Sequence, residues 1–197
     1  MLKTIDSKIQ KMVRESSFIL GKYVEEFENN FSSFTKSKYT IGCANGTDAI
    51  EIVLRALNIK QNDEVIIPSN TFIATALAVS RCGAIPIFAD NDKNYLLDIK
   101  KVESLISKNT KVIIGVNLYG QMGFNKQLSE ISKKYNLYFI EDSAQAHGAL
   151  QDDKSPGYYS IASTYSFYPG KNLGAWGDGG CVTTNNKKLA EQIIYLR

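Results

Sequence analysis

Histidine occurs once in the 197 residues, at His147, and that scarcity removes most zinc-centred chemistry from consideration. Cysteine is nearly as sparse: Cys43, Cys82 and Cys181 are far apart, odd in number and never spaced as CxxC. Isolated thiols of this kind fit a reducing compartment better than a disulfide framework or a metal cluster. No run of Lys and Arg exceeds two residues and the net charge is only +3, so the basic stripe of a nucleic-acid surface is missing. No window approaches the ~20 apolar residues of a membrane-spanning helix. The opening MLKTIDSKIQKMVRESS also lacks the apolar centre of a signal peptide. GxGxxG after the first strand-like run is absent, which weighs against a nucleotide-binding Rossmann domain. Internal repeats, low-complexity tracts and linkers are lacking too. These absences point to a soluble, cytoplasmic protein with no metal and no nucleic-acid or membrane partner.

What remains is ample for a core, since 44% of the residues are hydrophobic. Helical spacing runs over Ile5–Ser16 and Lys22–Phe34, the second carrying Tyr23, Phe27, Phe31 and Phe34 on one face. Such an aromatic stripe reads as a packing or dimer face rather than a cofactor box. Short β-rich runs follow at Tyr39–Cys43, Glu64–Ile67, Ile85–Ala89, Lys111–Val116 and Leu137–Ile140. Helical windows at Ala49–Leu57, Ile73–Arg81, Ile99–Ile106 and Phe124–Tyr135 separate them. Alternation of this kind predicts an α/β fold of three layers, α/β/α, around a mostly parallel sheet. Strands are also expected at Ala162–Phe167 and Gly180–Thr184, with a final helix over Lys187–Leu196. The closing AEQIIYLR carries no stop signal, so truncation within a larger architecture is expected.

Open α/β sheets bind ligands at the carboxyl ends of their strands, and four features fall there. In CANGTDAIEIVLRAL, Gly46 and Thr47 open a helix whose free N–H groups suit an anion. An ordinary N-cap by Thr47 or Asp48 explains the same residues. In LYFIEDSAQAHG, Glu141 and Asp142 end a strand and point to opposite faces, so one carboxylate at most enters a given pocket. Asp142 suits a cation or a protonated ring nitrogen, but equally a cap or an ion pair. The nearby His147 is either a base or a packing residue. In IPSNTFIATALAV, Phe72 sits in a turn where it stacks on a planar ligand or enters the core.

The fourth feature is SFYPGKNLGAWGDGGCVTT, Ser166 to Thr184. It is no P-loop, because Lys171 precedes Asn172 and most glycines come after it. Lysine is a nucleophile only as the free amine, and a solvated surface charge is its usual role. Gly170, Gly174, Gly177, Gly179 and Gly180 shift the reading toward tight turns that give backbone room beside a ligand. An anion hole, a stacking ring, a carboxylate and a lysine together match pyridoxal 5'-phosphate (PLP), whose aldehyde condenses with lysine and whose ring nitrogen wants an acidic partner.

These residues stand in blocks that resemble the large domain of the DegT/DnrJ/StrS sugar aminotransferases, which are fold-type I PLP enzymes. The resemblance runs from about Phe18 to Arg197 through FILGKYVEEFENNF, ANGTDAIEIVLRAL, DEVIIPSNTFIATALAV, GAIPIFAD, NLYGQMG, IEDSAQAHGA and SFYPGKNLGAWGDGG. It implies a Schiff base at Lys171, which also shuttles a proton. It implies Asp142 on the ring nitrogen, Gln145 near the phenolic oxygen and Phe72 stacked on the ring. Gly46, Thr47 and Ser166 are implied on the phosphate.

The implied reaction moves an amino group from an amino acid, commonly glutamate, to a keto group of a nucleotide-linked sugar. Lysine at position 171 argues against the related sugar dehydratases, which carry histidine there. FYPGKNLGA followed by GDGG resembles members acting on dTDP-3-oxo-6-deoxyhexoses, whereas C4-specific members more often read FH at 167–168. A homodimer is implied too. The expected division is a helical segment over 1–35 and a PLP-binding large domain over 36–197, with the C-terminal small domain absent and the N-terminal arm abbreviated. A chain so shortened is expected to bind cofactor weakly and turn over poorly by itself. Two alternatives stay open: a PLP-binding module without catalysis or with a regulatory role, and another fold-type I reaction such as desulfuration. The latter needs a cysteine in a flexible loop, and none of the three sits in an obvious one.

Overall fold

The computed structural model describes residues 2–197; Met1, the first residue of the expected 1–35 segment, lies outside the described residues. Two helices come first, α1 (Leu2–Arg14) and α2 (Lys22–Thr35). Strands and helices then alternate as β1 (Tyr39–Cys43), α3 (Gly46–Ala56), β2 (Glu64–Pro68), α4 (Ile73–Arg81) and β3 (Ile85–Ala89). Next come α5 (Ile99–Leu105), β4 (Thr110–Val116), α6 (Asn125–Lys134) and β5 (Tyr138–Asp142). Last are β6 (Ala162–Ser166), β7 (Gly180–Thr184) and α7 (Lys187–Leu196).

The seven strands make one sheet in the order β1-β7-β6-β5-β4-β2-β3. Pairing is parallel from β3 through β2, β4 and β5 to β6. Only β7 runs the other way, antiparallel to both β6 and β1. Parallel neighbours need crossovers, and α4, α5 and α6 lie in them.

The period-two alternation of the strands decides which helix covers which face. Val65, Ile67, Val112, Ile114 and Ile140 join Ile50, Val53, Leu54, Ala78, Val79 and Ile193 in one core, under α3, α4 and α7. Their neighbours Ile66, Ile113 and Phe139 join Val102, Leu128 and Ile131 in another, under α5 and α6. Both faces are buried, as a parallel sheet requires. A third cluster joins Phe31 of α2 to Tyr165, Phe167 and Cys181, with Phe27 against it. The aromatic face of α2 therefore packs on the far end of the sheet, with Phe31 and Tyr165 edge to face at 5.0 Å.

Among the boundaries that differ from expectation, two have a direct physical cause. α3 starts at Gly46 rather than Ala49 because Asn45 caps it: the Asn45 side-chain oxygen accepts from the Asp48 N–H at 2.9 Å. β5 continues past Ile140 because Glu141 and Asp142 still pair, with Gly115 and Val116 of β4. Among the described residues no helix is long and apolar enough to cross a membrane.

Candidate active site

Every parallel strand delivers its carboxyl end to the same edge of the sheet, and a cleft of about 970 Å³ opens there. Its wall includes Gly46 and Thr47 at the start of α3, Phe72 before α4, Asp142 at the end of β5 and Gln145 just beyond. Ser166, at the end of β6, and Lys171, in the following loop, close the other side. All seven residues singled out in the sequence thus line one cavity.

Asp142 sits at its floor. The alternation that places Ile140 under α3 and α4 places Asp142 on that same face, and Glu141 on the opposite one. Asp142 is buried, with Oδ2 accepting from the Thr75 hydroxyl of α4 at 2.9 Å and Oδ1 accepting from the Ala144 N–H at 3.1 Å. Burial pushes its carboxyl above the usual range, while the Ala144 N–H, the Thr75 hydroxyl and the charge of Lys171 pull it back. A carboxylate this short of counter-charge suits a cationic group arriving in the cleft.

The corner at the start of α3 is built from backbone. Because Asn45 takes up the Asp48 N–H, Thr47 is not the cap, and the first N–H groups of α3, at Gly46 and Thr47, have no partner within the helix. Gly46 is needed there: a Cβ would stand 2.7 Å from the Ser166 Cβ. That contact brings the helix start and the Ser166 hydroxyl together at one point, with the positive end of the helix dipole beside them. Phe72 is 67% exposed, so it has not entered the core. Gln145 is oriented by its side-chain oxygen, which accepts from the Tyr119 N–H at 2.8 Å. Lys171 is half-buried, and its N–H donates to the Tyr168 carbonyl at 2.8 Å, closing the turn. The residues thus fit PLP: a donor corner for phosphate, an aromatic wall, an acid at the floor and an amine opposite.

Comparison with known proteins decides the family, since the DegT/DnrJ/EryC1/StrS aminotransferase family matches residues 1–197. The chain belongs to that family. It is 47% identical over 196 residues to a dTDP-3-amino-3,6-dideoxy-alpha-D-galactopyranose transaminase of Aneurinibacillus thermoaerophilus, covering 99% of this chain and 54% of that one. The structure of S. venezuelae DesV in complex with a ketimine intermediate superposes with a TM-score of 0.95 at 39% identity, over 98% of this chain and 52% of that one. NtdA from Bacillus subtilis, with bound cofactor PMP, gives 0.93 at 36% identity, over 98% and 44%. The chain spans about half the length of the curated relatives it matches.

Within this member of the DegT/DnrJ/EryC1/StrS family, one expectation needs correcting. None of the glycines after Lys171 adopts a positive φ. A Cβ on Gly174 would meet the Pro169 carbonyl oxygen at 2.4 Å, and one on Gly180 would meet the Asn45 carbonyl oxygen at 2.3 Å. Those two glycines let chain pack on chain rather than give room to a ligand. His147 takes the packing alternative: its ring lies 5.4 Å from Tyr165 and 5.3 Å from Phe167, and burial lowers its pKa. Two buried residues that hold the end of β5 were missed in the sequence. Thr75 is a hydroxyl on the otherwise apolar buried face of α4, and that is the signal that would have flagged it. Asn117, which holds Glu141 from behind, carries no such mark.

Proposed function

We propose that residues 36–197 form the cofactor domain of a PLP-dependent aminotransferase acting on a nucleotide-linked keto sugar, with residues 1–35 a helical segment beside it. The amino donor is an amino acid, glutamate by preference, and the acceptor a dTDP-3-oxo-6-deoxyhexose. One observation carries this reading: a lysine, a buried acid, a free helix N-terminus with a serine, and an exposed aromatic ring line one cleft of about 970 Å³. The 3-position is supported by the name of the 47% identical relative, a 3-amino sugar transaminase.

When bound, PLP supplies an aldehyde that joins amines and a ring that takes up electrons released at carbon. The chain's residues do the rest. Lys171 would hold the cofactor at its aldehyde through Nζ, and its free amine would serve as the base for the proton on the amino acid's α-carbon. Asp142 would keep a proton on the ring nitrogen. Gly46, Thr47 and Ser166 would hold the phosphate through N–H and O–H donors, Phe72 would stack on the ring and Gln145 would lie near the phenolic oxygen.

The same reading puts the protein in the cytoplasm as a homodimer. Support for association comes from a second, apolar cleft of about 1220 Å³ beside Phe18, Ile19 and Leu20, which are 62%, 87% and 50% exposed. The test is direct. PLP added to the chain should raise a long-wavelength absorbance band that Lys171→Ala abolishes, and an equal band in the variant would sink the assignment. Product formation from dTDP-keto sugar that depends on the amino donor then separates a transferase from a module that only binds.

A further inference from the structure

The residues on either side of Asp142 are both clamped from behind the sheet, and the same residue holds them. Glu141, Ser143, Asn117 and Asn125 are all essentially inaccessible to solvent. Asn117 follows the last residue of β4. Its side-chain nitrogen donates to Glu141 Oε2 at 3.0 Å and to Ser143 Oγ at 2.9 Å. Its own N–H donates to the Asp142 carbonyl at 2.9 Å. Asn117 therefore touches three consecutive residues, the last two of β5 and the one that follows.

The frame around it is closed. Asn125 of α6 donates to both Asn117 Oδ1 at 3.1 Å and Glu141 Oε2 at 3.0 Å. The Gly157 N–H donates to Glu141 Oε1 at 3.1 Å. Ser143 Oγ lies 2.7 Å from Ser163 Oγ, tying the frame to β6. Two residues beyond Asn117, the turn Leu118–Gly120 presents the Tyr119 N–H that orients Gln145.

A structural role alone does not explain this choice of residues. Burying a carboxylate among neutral donors is unfavourable compared with an apolar filling. A fully bonded polar frame does have one property that apolar packing lacks, which is a single defined geometry. That matters at a strand end, where the last backbone bonds, from the Asn117 N–H to the Asp142 carbonyl and from the Ser143 N–H to the Thr164 carbonyl, leave the side chain's direction to its surroundings.

We propose that Asn117 is a positioning residue for Asp142 and Gln145, acting through the buried frame it forms with Glu141 and Ser143. This rests on the reading that Asp142 meets the cofactor ring.

The test is a double-variant cycle on PLP affinity in the full chain, with urea unfolding run on each variant to establish that it folds. Asp142→Asn should weaken binding. Asn117→Ala should weaken it roughly tenfold in the native background and by much less when Asp142→Asn is already present, the remainder acting through Gln145, because residues that act as one unit are non-additive. In Asn117→Ala, the pH midpoint of the bound cofactor's absorbance should also move. If Asn117→Ala does not fold, Ser143→Ala, which deletes one oxygen, takes its place in the cycle, with a smaller loss coupled to Asp142 in the same way. An equal loss in both backgrounds, or no loss in the native one, overturns the proposal. An Asp142→Asn variant that binds as tightly as the native chain overturns the cofactor reading itself, and the proposal with it.

Discussion

Asp142 shows how one side chain's burial becomes a measurable property of the chain. Its folded-state carboxyl holds a proton more tightly than in the unfolded chain, because burial disfavours the charge. The sign then follows: its contribution to stability is greatest at low pH and declines as pH rises through and above the ordinary Asp range. In the cofactor-free chain, Asp142→Asn is therefore expected to raise the urea midpoint at pH 7, with the gain fading below about pH 4. The substitution is tolerable sterically, since the Thr75 hydroxyl can turn from Asp142 toward Thr71, 2.8 Å away. A lower midpoint at pH 7 would show that the acid is not held against its charge. At Gly46 the argument is one of space. Gly46→Ala puts a Cβ on Ser166, and overpacking of this kind costs about 1–3 kcal/mol. The expected result is a PLP affinity lowered by roughly tenfold or more, read by absorbance titration.

At the level of elements, capping and close chain contact decide the shape of the anion corner. Four cap-forming or turn-forming residues in a row, Asn45 to Asp48, leave the cap ambiguous in sequence, because Asn, Asp and Thr all serve. The structure selects Asn45, since its extended backbone lets the side chain reach the Asp48 N–H. Asn45→Ala is expected to cost about 1 kcal/mol in urea unfolding. Gly180 opens β7 directly against that cap. Gly180→Ala drives a Cβ into the Asn45 carbonyl, where both partners are backbone and neither yields. We expect about 1–3 kcal/mol of lost stability, and an unchanged urea midpoint would show that α3 moves freely on β7. The strands and helices themselves were legible from their periods. The function of the glycines was not, because a sequence does not say whether a missing Cβ makes room for a ligand or for another chain segment.

Over the whole molecule, the sheet is the device that turns a pattern of twos into two cores and one site. Ile114 is fully buried among the residues under α3 and α4, so Ile114→Ala should cost about 2–5 kcal/mol, measured by urea unfolding. The same alternation separates Asp142 from Glu141, one to the cleft and one to the frame behind it. Sequence alone determined the alternation of elements and the three layers. Those are properties of local spacing and side-chain chemistry, and they need no neighbours to be read. Only the tertiary structure decided that Asn45 caps, that His147 packs and that Phe72 stays in the cleft. Only it placed Asn117 on three residues at the end of a strand over twenty positions away. Contacts of that kind come from which strands lie side by side, and no local pattern encodes them.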